Sequence, residues 1–227
     1  MEDLLEKAVK NNAVWCDTIC NSHNATGQFL EDVWINKNVV PRFYPNAITL
    51  KSNVDDISKY LQDITLPSYT VKDSYNSLDI NKQGYSILFE AEWIALTTPV
   101  LKTVQNWKII KTAAQLETWE LTWNNNVAEE KIFLPTLLDD SLVFFLAKYE
   151  NEQIIAGAIA NIASEVVGLS NVFSHDKTGN AFSESCTFVR GNVSHLPIVG
   201  YERGADLDRA RVEGFETFGK LKVLQIS

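Results

Sequence analysis

Apolar and polar positions repeat with two different periods along this chain, and the changes of period mark out its elements. From Gln153 the sequence reads QIIAGAIANIASE and then VVGLSNVFS, two Ala-, Val- and Ile-rich runs joined by the polar pair Ser164–Glu165. Short apolar runs bounded by polar turns predict neighbouring strands. Upstream, LVFFLAKYENEQIIAGAIANI predicts a hairpin that turns at Glu150–Glu152. Downstream, a turn at His175–Ala181 leads into a helix starting near Asn180, and PIVGY is a further strand, ended by Gly204. Asp206 stands where a helix N-cap is expected, its carboxylate free to accept from the first orphan amides. Leu207, Ala210, Arg211, Gly214 and Phe215 follow at helical spacing. They predict a helix over Asp206–Phe218, closed by Gly219, with LKVLQI returning as a strand. Strand–helix alternation of this kind predicts an α/β (or α+β) fold with helices packed on the faces of a sheet.

The earlier part of the chain is less regular. Leu4, Leu5, Ala8, Val9, Ala13 and Trp15 lie near one face of a first helix over residues 3–20. The stretch Asn21–Pro45 is loop-rich and holds Phe29, Trp34, Phe43 and Tyr44, aromatics that either line a pocket or pin the loop to the core. ITLKS predicts a strand. Ser52 or Asn53 then caps a helix over Val54–Ile64, SYTVKDS is a strand, and a short helix and Gly84-Tyr85 lead into the strand SILFEAEWIAL. The polar stretch Thr97–Asn106, with its proline, is the best domain boundary. Beyond it WKIIKT is a strand. Thr112 caps a helix with Leu116, Trp119, Leu121 and Trp123 on or near its buried side, and Pro135 limits helix in IFLPTLLDD to short pieces.

Composition narrows the classes of function. The formal net charge is −9, with 8 basic against 13 acidic residues up to position 100 and 12 against 16 beyond it. The excess is evenly spread, without the clustered Lys and Arg that a nucleic acid needs. No apolar run approaches the roughly 20 residues of a membrane span, and MEDLLEKAVK lacks the basic start and apolar middle of a signal peptide. Cys16 and Cys20, i and i+4 on the first helix, stand near His23. That spacing is not a usual structural-zinc one and no second ligand pair exists, so buried thiols are the better reading and no metal is expected. The odd cysteine count, with Cys186 the third, fits a reducing cytoplasm. His175 and His195 have no nucleophile in a legible triad, and no Walker, H-E-x-x-H or G-x-S-x-G motif occurs.

The part from Trp107 to Ser227 resembles the catalytic half of the GNAT acetyltransferase superfamily. Three features carry the resemblance. The two-strand unit ends in VVGLSNVFS and passes through a glycine turn into a helix. A strand–helix unit ends in Gly214-Phe215, a pair these enzymes often carry late in their last helix. A strand follows directly. The resemblance implies a mixed central sheet flanked by helices, a GNAT-like domain at 107–227, and an accessory segment or incomplete GNAT-like unit at 1–100. The second option rests on an echo: NSLDINKQGYSILFEAEWIAL and DLDRARVEGFETFGKLKVLQI share a layout of helix, Gly-aromatic pair and strand.

The resemblance also implies transfer of an acetyl group from acetyl-CoA, as co-substrate, to a small-molecule or peptide amine by direct attack. In such enzymes the fourth strand splays from its neighbour and pairs with the pantetheine amides. Amides at the start of the next helix cradle the pyrophosphate, since a helix N-terminus offers unpaired N–H groups and a positive dipole end. Carried over, Asn171, Val172 and Phe173 end the binding strand, and Lys177, Thr178, Gly179, Asn180 and Ala181 form the cradle. Two positions depart from the pattern. Asp176 stands where the turn usually has Gln or Arg, and Ala210 stands where many members have the Tyr that protonates the leaving thiolate. Tyr201 is then the nearest candidate acid, and Glu202 beside it a candidate base or amine-binding carboxylate. Strand alternation puts the two on opposite faces. These departures keep open an inactive acyl-CoA-binding or interaction module, and also a structural or self-associating domain, including a homo-oligomer.

Overall fold

The computed structural model describes residues 3–62, 64–81, 84–97, 104–127, 129–175 and 180–226. In chain order they form α1 (Leu4–Ser22), β1 (Gln28–Phe29), β2 (Val33–Ile35), β3 (Ala47–Thr49), α2 (Ser58–Leu61), β4 (Tyr69–Asp73) and β5 (Tyr85–Leu96). Then come β6 (Trp107–Ile109), α3 (Ala113–Trp123), a 3-10 turn at Pro135–Asp139, β7 (Val143–Glu150), β8 (Gln153–Ala163) and β9 (Val166–Ser174). The chain finishes with α4 (Ala181–Asn192), β10 (Ile198–Glu202), α5 (Gly204–Val212) and β11 (Glu216–Ile226). They make two units, Met1–Trp93 with Phe218–Ser227, and Ile94–Thr217. The chain crosses from one to the other inside β5 and again inside β11. Most of the Thr97–Asn106 stretch, residues 98–103, lies outside the described residues.

In the first unit the strands run in the order β1-β2-β3-β4-β11-β5. β2 pairs antiparallel with β1 and β3, β3 runs parallel to β4, and β4 pairs antiparallel with β11 from Lys222↔Asp73 to Ile226↔Tyr69. The core is Val33, Ile35, Ala47, Val54, Ile57, Leu61, Val71, Leu78, Leu224 and Ile226. α1 buries Ala8, Val9, Ala13, Trp15, Cys16, Ile19 and Cys20. It ends in a Schellman turn: Asn24 takes φ +59°, Asn24 N–H donates to Asn21 O and Ala25 N–H to Cys20 O. Both thiols are buried, and burial pushes the Cys20 thiol up to about 12. Among the aromatics of residues 21–45, Trp34 is fully buried and donates Nε1–H to Asp17, whereas Phe29 and Phe43 face solvent.

Two sequence expectations fail in this unit. The helix expected over Val54–Ile64 is only Ser58–Leu61, because Val54 and Ile57 are drawn into the core from irregular backbone. The short helix expected before Gly84 is not formed by residues 74–81, which make turns. The Asp73 carboxylate draws them in by accepting from the N–H groups of Ser77 and Leu78. The helix of the internal echo is therefore absent there, while its strand, β5, is present.

In the second unit the end of β5 is followed by β10, β9, β8, β7 and β6. β6 to β9 are antiparallel neighbours. β9 and β10 are parallel, so the sheet is mixed. α3 and α4 pack on β8, α4 also on β9, and α5 on β10. The turns at Asn151–Glu152 and Ser164–Glu165 both place two residues at positive φ, matching the right-handed twist of tight hairpins without any glycine. Thr112 caps α3 as expected, and Leu116 and Trp119 are buried, but Leu121 is exposed. Trp119 donates Nε1–H to Leu146 O and meets Phe133, Phe145 and Phe173 edge-on at 5.3–5.6 Å. The expected helix over Asp206–Phe218 is shifted and shorter. Arg203 is its N-cap, Asp206 falls in its first turn, and β11 already begins at Glu216, so Gly219 lies inside a strand. Gly214 ends the helix, at φ +98°. Gly214 N–H donates to Arg211 O and Phe215 N–H to Ala210 O, a Schellman turn whose apolar contact is the buried pair Ala210 and Phe215.

Candidate functional site

The site the sequence pointed to is built where β9 and β10 part. Their parallel register covers Ile198↔Val167 and Val199↔Gly168, with Val167 N–H donating to Pro197 O. At Gly200 the backbones are so close that a Cβ would stand 2.7 Å from Leu169 O, so no other residue fits there without a shift. Beyond this point β9 changes character. Val166–Leu169 are buried and Ser170–Ser174 only half-buried. A bulge re-aims the strand: Gly157 pairs with Phe173 and Ile159 with Ser170, leaving Asn171 and Val172 opposite Ala158 alone, and Asn171 adopts φ +52°. Ser170 Oγ is buried without a hydrogen-bond partner, a condition that costs about 1–3 kcal/mol.

The site residues expected from sequence divide as follows. Asn171 sits in the bulge, Val172 packs on the core of this unit, and Phe173 packs edge-on to Trp119. Val172 and Phe173 therefore offer a ligand backbone rather than side chain. Asn180 is the exposed N-cap of α4, with no side-chain cap bond, and Ala181 is the buried first residue of that helix. Lys177, Thr178 and Gly179, with Asp176, lie outside the described residues. Tyr201 and Glu202 are consecutive and half-buried at the open end of β10. Burial pushes the Glu202 carboxyl up to about 8, and the negative charge of Asp206 adds to the rise. Ala210, where the resemblance looks for a tyrosine, is fully buried. His175 bonds through Nε2 to the Thr122 carbonyl at 2.9 Å, and His195 is exposed.

Two carboxylates at the head of α4 were not singled out by sequence reasoning. Glu184, in the first turn, accepts from Trp107 Nε1–H at 2.9 Å and pairs with Lys148 at 2.8 Å. Glu213, the C-cap residue of α5, accepts from Ser183 N–H, the third amide of α4. Its other oxygen is buried and unpartnered. No sequence signal marks Glu213 as a cap for α4, because the two lie 30 positions apart. These features decide how well an acyl-CoA fits. The half-open strand with its bulge and orphaned Ser170 hydroxyl suits an extended pantetheine arm. The head of α4, where the resemblance puts a diphosphate, already carries the Glu213 carboxylate on its third amide, which suits an anion poorly.

No protein-family model matches the chain, and no curated protein does. Solved structures do. A GCN5-related N-acetyltransferase from Kribbella flavida superposes with a TM-score of 0.69 at 10% identity, over 100% of this chain and 96% of that one. A functionally unknown conserved protein from Staphylococcus epidermidis gives 0.63 at 11% identity, over 91% and 96%. A GNAT-family structure from Novosphingobium aromaticivorans gives 0.61 at 9% identity, over 95% and 96%. By its mixed sheet, the parallel pair β9–β10 and these superpositions, the chain has the fold of the GCN5-related N-acetyltransferases.

Proposed function

We propose that this protein transfers an acyl group, acetyl in the simplest case, from a CoA-type thioester to an amine, with Glu202 as the base. The observation that carries this reading is the position and acidity of Glu202. It stands at the end of β10, past the last paired position of β9 and β10, where burial raises its carboxyl to about 8. An amine reaches neutral solution mostly as an ammonium ion, which cannot attack a carbonyl. A carboxylate of ordinary acidity accepts that proton poorly, and one raised to about 8 accepts it far more readily. Asn171–Phe173 hold the thioester arm through backbone groups, one N–H of which polarises the carbonyl. The amine nitrogen bonds to the carbonyl carbon and the C–S bond breaks. The nitrogen sheds two protons on going from ammonium to amide: one passes through Glu202 to the leaving thiolate and the other is released to water, so charge and atoms balance. Tyr201, on the other face of β10, is not needed for this sequence of steps.

One observation favours the alternative of an acyl-thioester-binding module without catalysis: position 210 is a buried alanine, so no hydroxyl replaces the family's acid there. Incubation with acetyl-CoA and a panel of amines, followed by thiol release and the mass of the product, separates the two readings. Transfer predicts amide product in step with free thiol. Saturable thioester binding with no product from any amine would favour the module.

A further inference from the structure

We propose that Glu213 occupies from within the anion position at the head of α4, so that this protein reads its donor through the pantetheine arm and not through the phosphorylated nucleotide. The inference rests on the acyl-transfer reading for the identity of the donor, but its own content is the role of Glu213. The Glu213 carboxylate accepts from Ser183 N–H, a buried amide in the first turn of α4. That amide and its neighbours are the groups a helix N-terminus would turn toward a diphosphate.

The carboxylate is fixed there by its setting. Glu213 N–H donates to Arg209 O and Ala210 O, Gly214 turns the chain, and Phe215 is buried against Phe182 at a centroid distance of 5.9 Å. Phe182 is itself the second residue of α4, so the end of α5 and the head of α4 are held together by an aromatic pair and a hydrogen bond. The unpartnered second oxygen of Glu213 means that its charge is not neutralised by a cation bonded to it. Glu184 in the same turn is paired with Lys148, which leaves that lysine engaged. A diphosphate placed there meets a carboxylate already bonded to the third amide of α4.

The test compares CoA with pantetheine, which has the same thiol arm and no nucleotide, by calorimetric titration of the wild type and of Glu213→Gln and Glu213→Ala. Far-ultraviolet dichroism and the melting midpoint check that each variant is folded. The expected result is that wild type binds CoA no more tightly than pantetheine. Both variants then tighten CoA at least fivefold and leave pantetheine unchanged. The inference is overturned if wild type binds CoA tenfold or more tightly than pantetheine. It is equally overturned if the ratio of the two dissociation constants is the same in wild type and variants, or if none of them binds either molecule. Binding as expected without amide product from any amine would instead defeat the acyl-transfer reading and leave the role of Glu213 standing.

Discussion

The two helices that pack on β8 begin in opposite ways. α3 is capped by its own sequence: Thr112 Oγ1 accepts from Gln115 N–H at 3.3 Å, and Gln115 Oε1 accepts from the N–H groups of Lys111 and Thr112. α4 has no such device. Asn180 makes no side-chain cap bond, and the acceptor for Ser183 N–H comes from Glu213 at the end of another helix. A local cap affects the helix it starts and little else. A cap delivered from elsewhere couples two elements, and here it places a negative charge at the head of α4.

This contrast can be broken by mutation. The largest effect is expected at Phe215, whose ring joins the end of α5 to Phe182 in α4. Phe215→Ala should cost about 3–5 kcal/mol in chemical denaturation, as for other buried aromatics, and should speed hydrogen exchange at the Ser183 amide. Glu213→Ala comes next. It leaves the buried Ser183 N–H without its acceptor, so a loss of about 1–3 kcal/mol is expected. Thr112→Ala should be the mildest, about 1 kcal/mol, because the α3 cap is exposed and water can replace it. It should leave thioester binding untouched. A Thr112→Ala loss larger than that of Glu213→Ala would reverse the comparison.

The same contrast explains what could be read from the sequence. The meander β7–β8–β9, its two polar turns and the Thr112 cap are specified by neighbouring residues, and each was predictable from period and turn chemistry. The end of α5 was misplaced because two glycines, Gly214 and Gly219, offered a stop. Which one acts depends on Phe215 being drawn into the core beside Phe182, a tertiary event. Leu121 is exposed because it stands two positions past Trp119, about 200° round the helix from the aromatic cluster. At the site, the open end of β9 and the pair Tyr201–Glu202 were legible as positions. The acidity of Glu202 was not, because it depends on what surrounds the carboxyl after folding. Glu213 was invisible for the reason already given: its partner is distant in the chain.

The acidity of Glu202 also sets a pH dependence. Its folded pKa, about 8, lies above the ordinary 4.5, so the unfolded chain loses this proton first as pH rises. Stability therefore falls from pH 4.5 to about 8 on account of this group, and above that the loss stays in full without further change. Glu202→Gln lacks this slope. Its melting midpoint should gain on that of the wild type across the same window, and a constant gap would mean that the carboxyl is not desolvated.

The most direct test of the acyl-transfer account is the pH dependence of kcat/KM for thiol release, measured for wild type and Glu202→Gln with one thioester and one amine. Taking the ratio of the two enzymes cancels the titration of the amine itself. The account predicts that the ratio climbs through pH about 8 and reaches roughly 10²–10⁴, the usual contribution of a general base. A ratio near one that does not change with pH would contradict it.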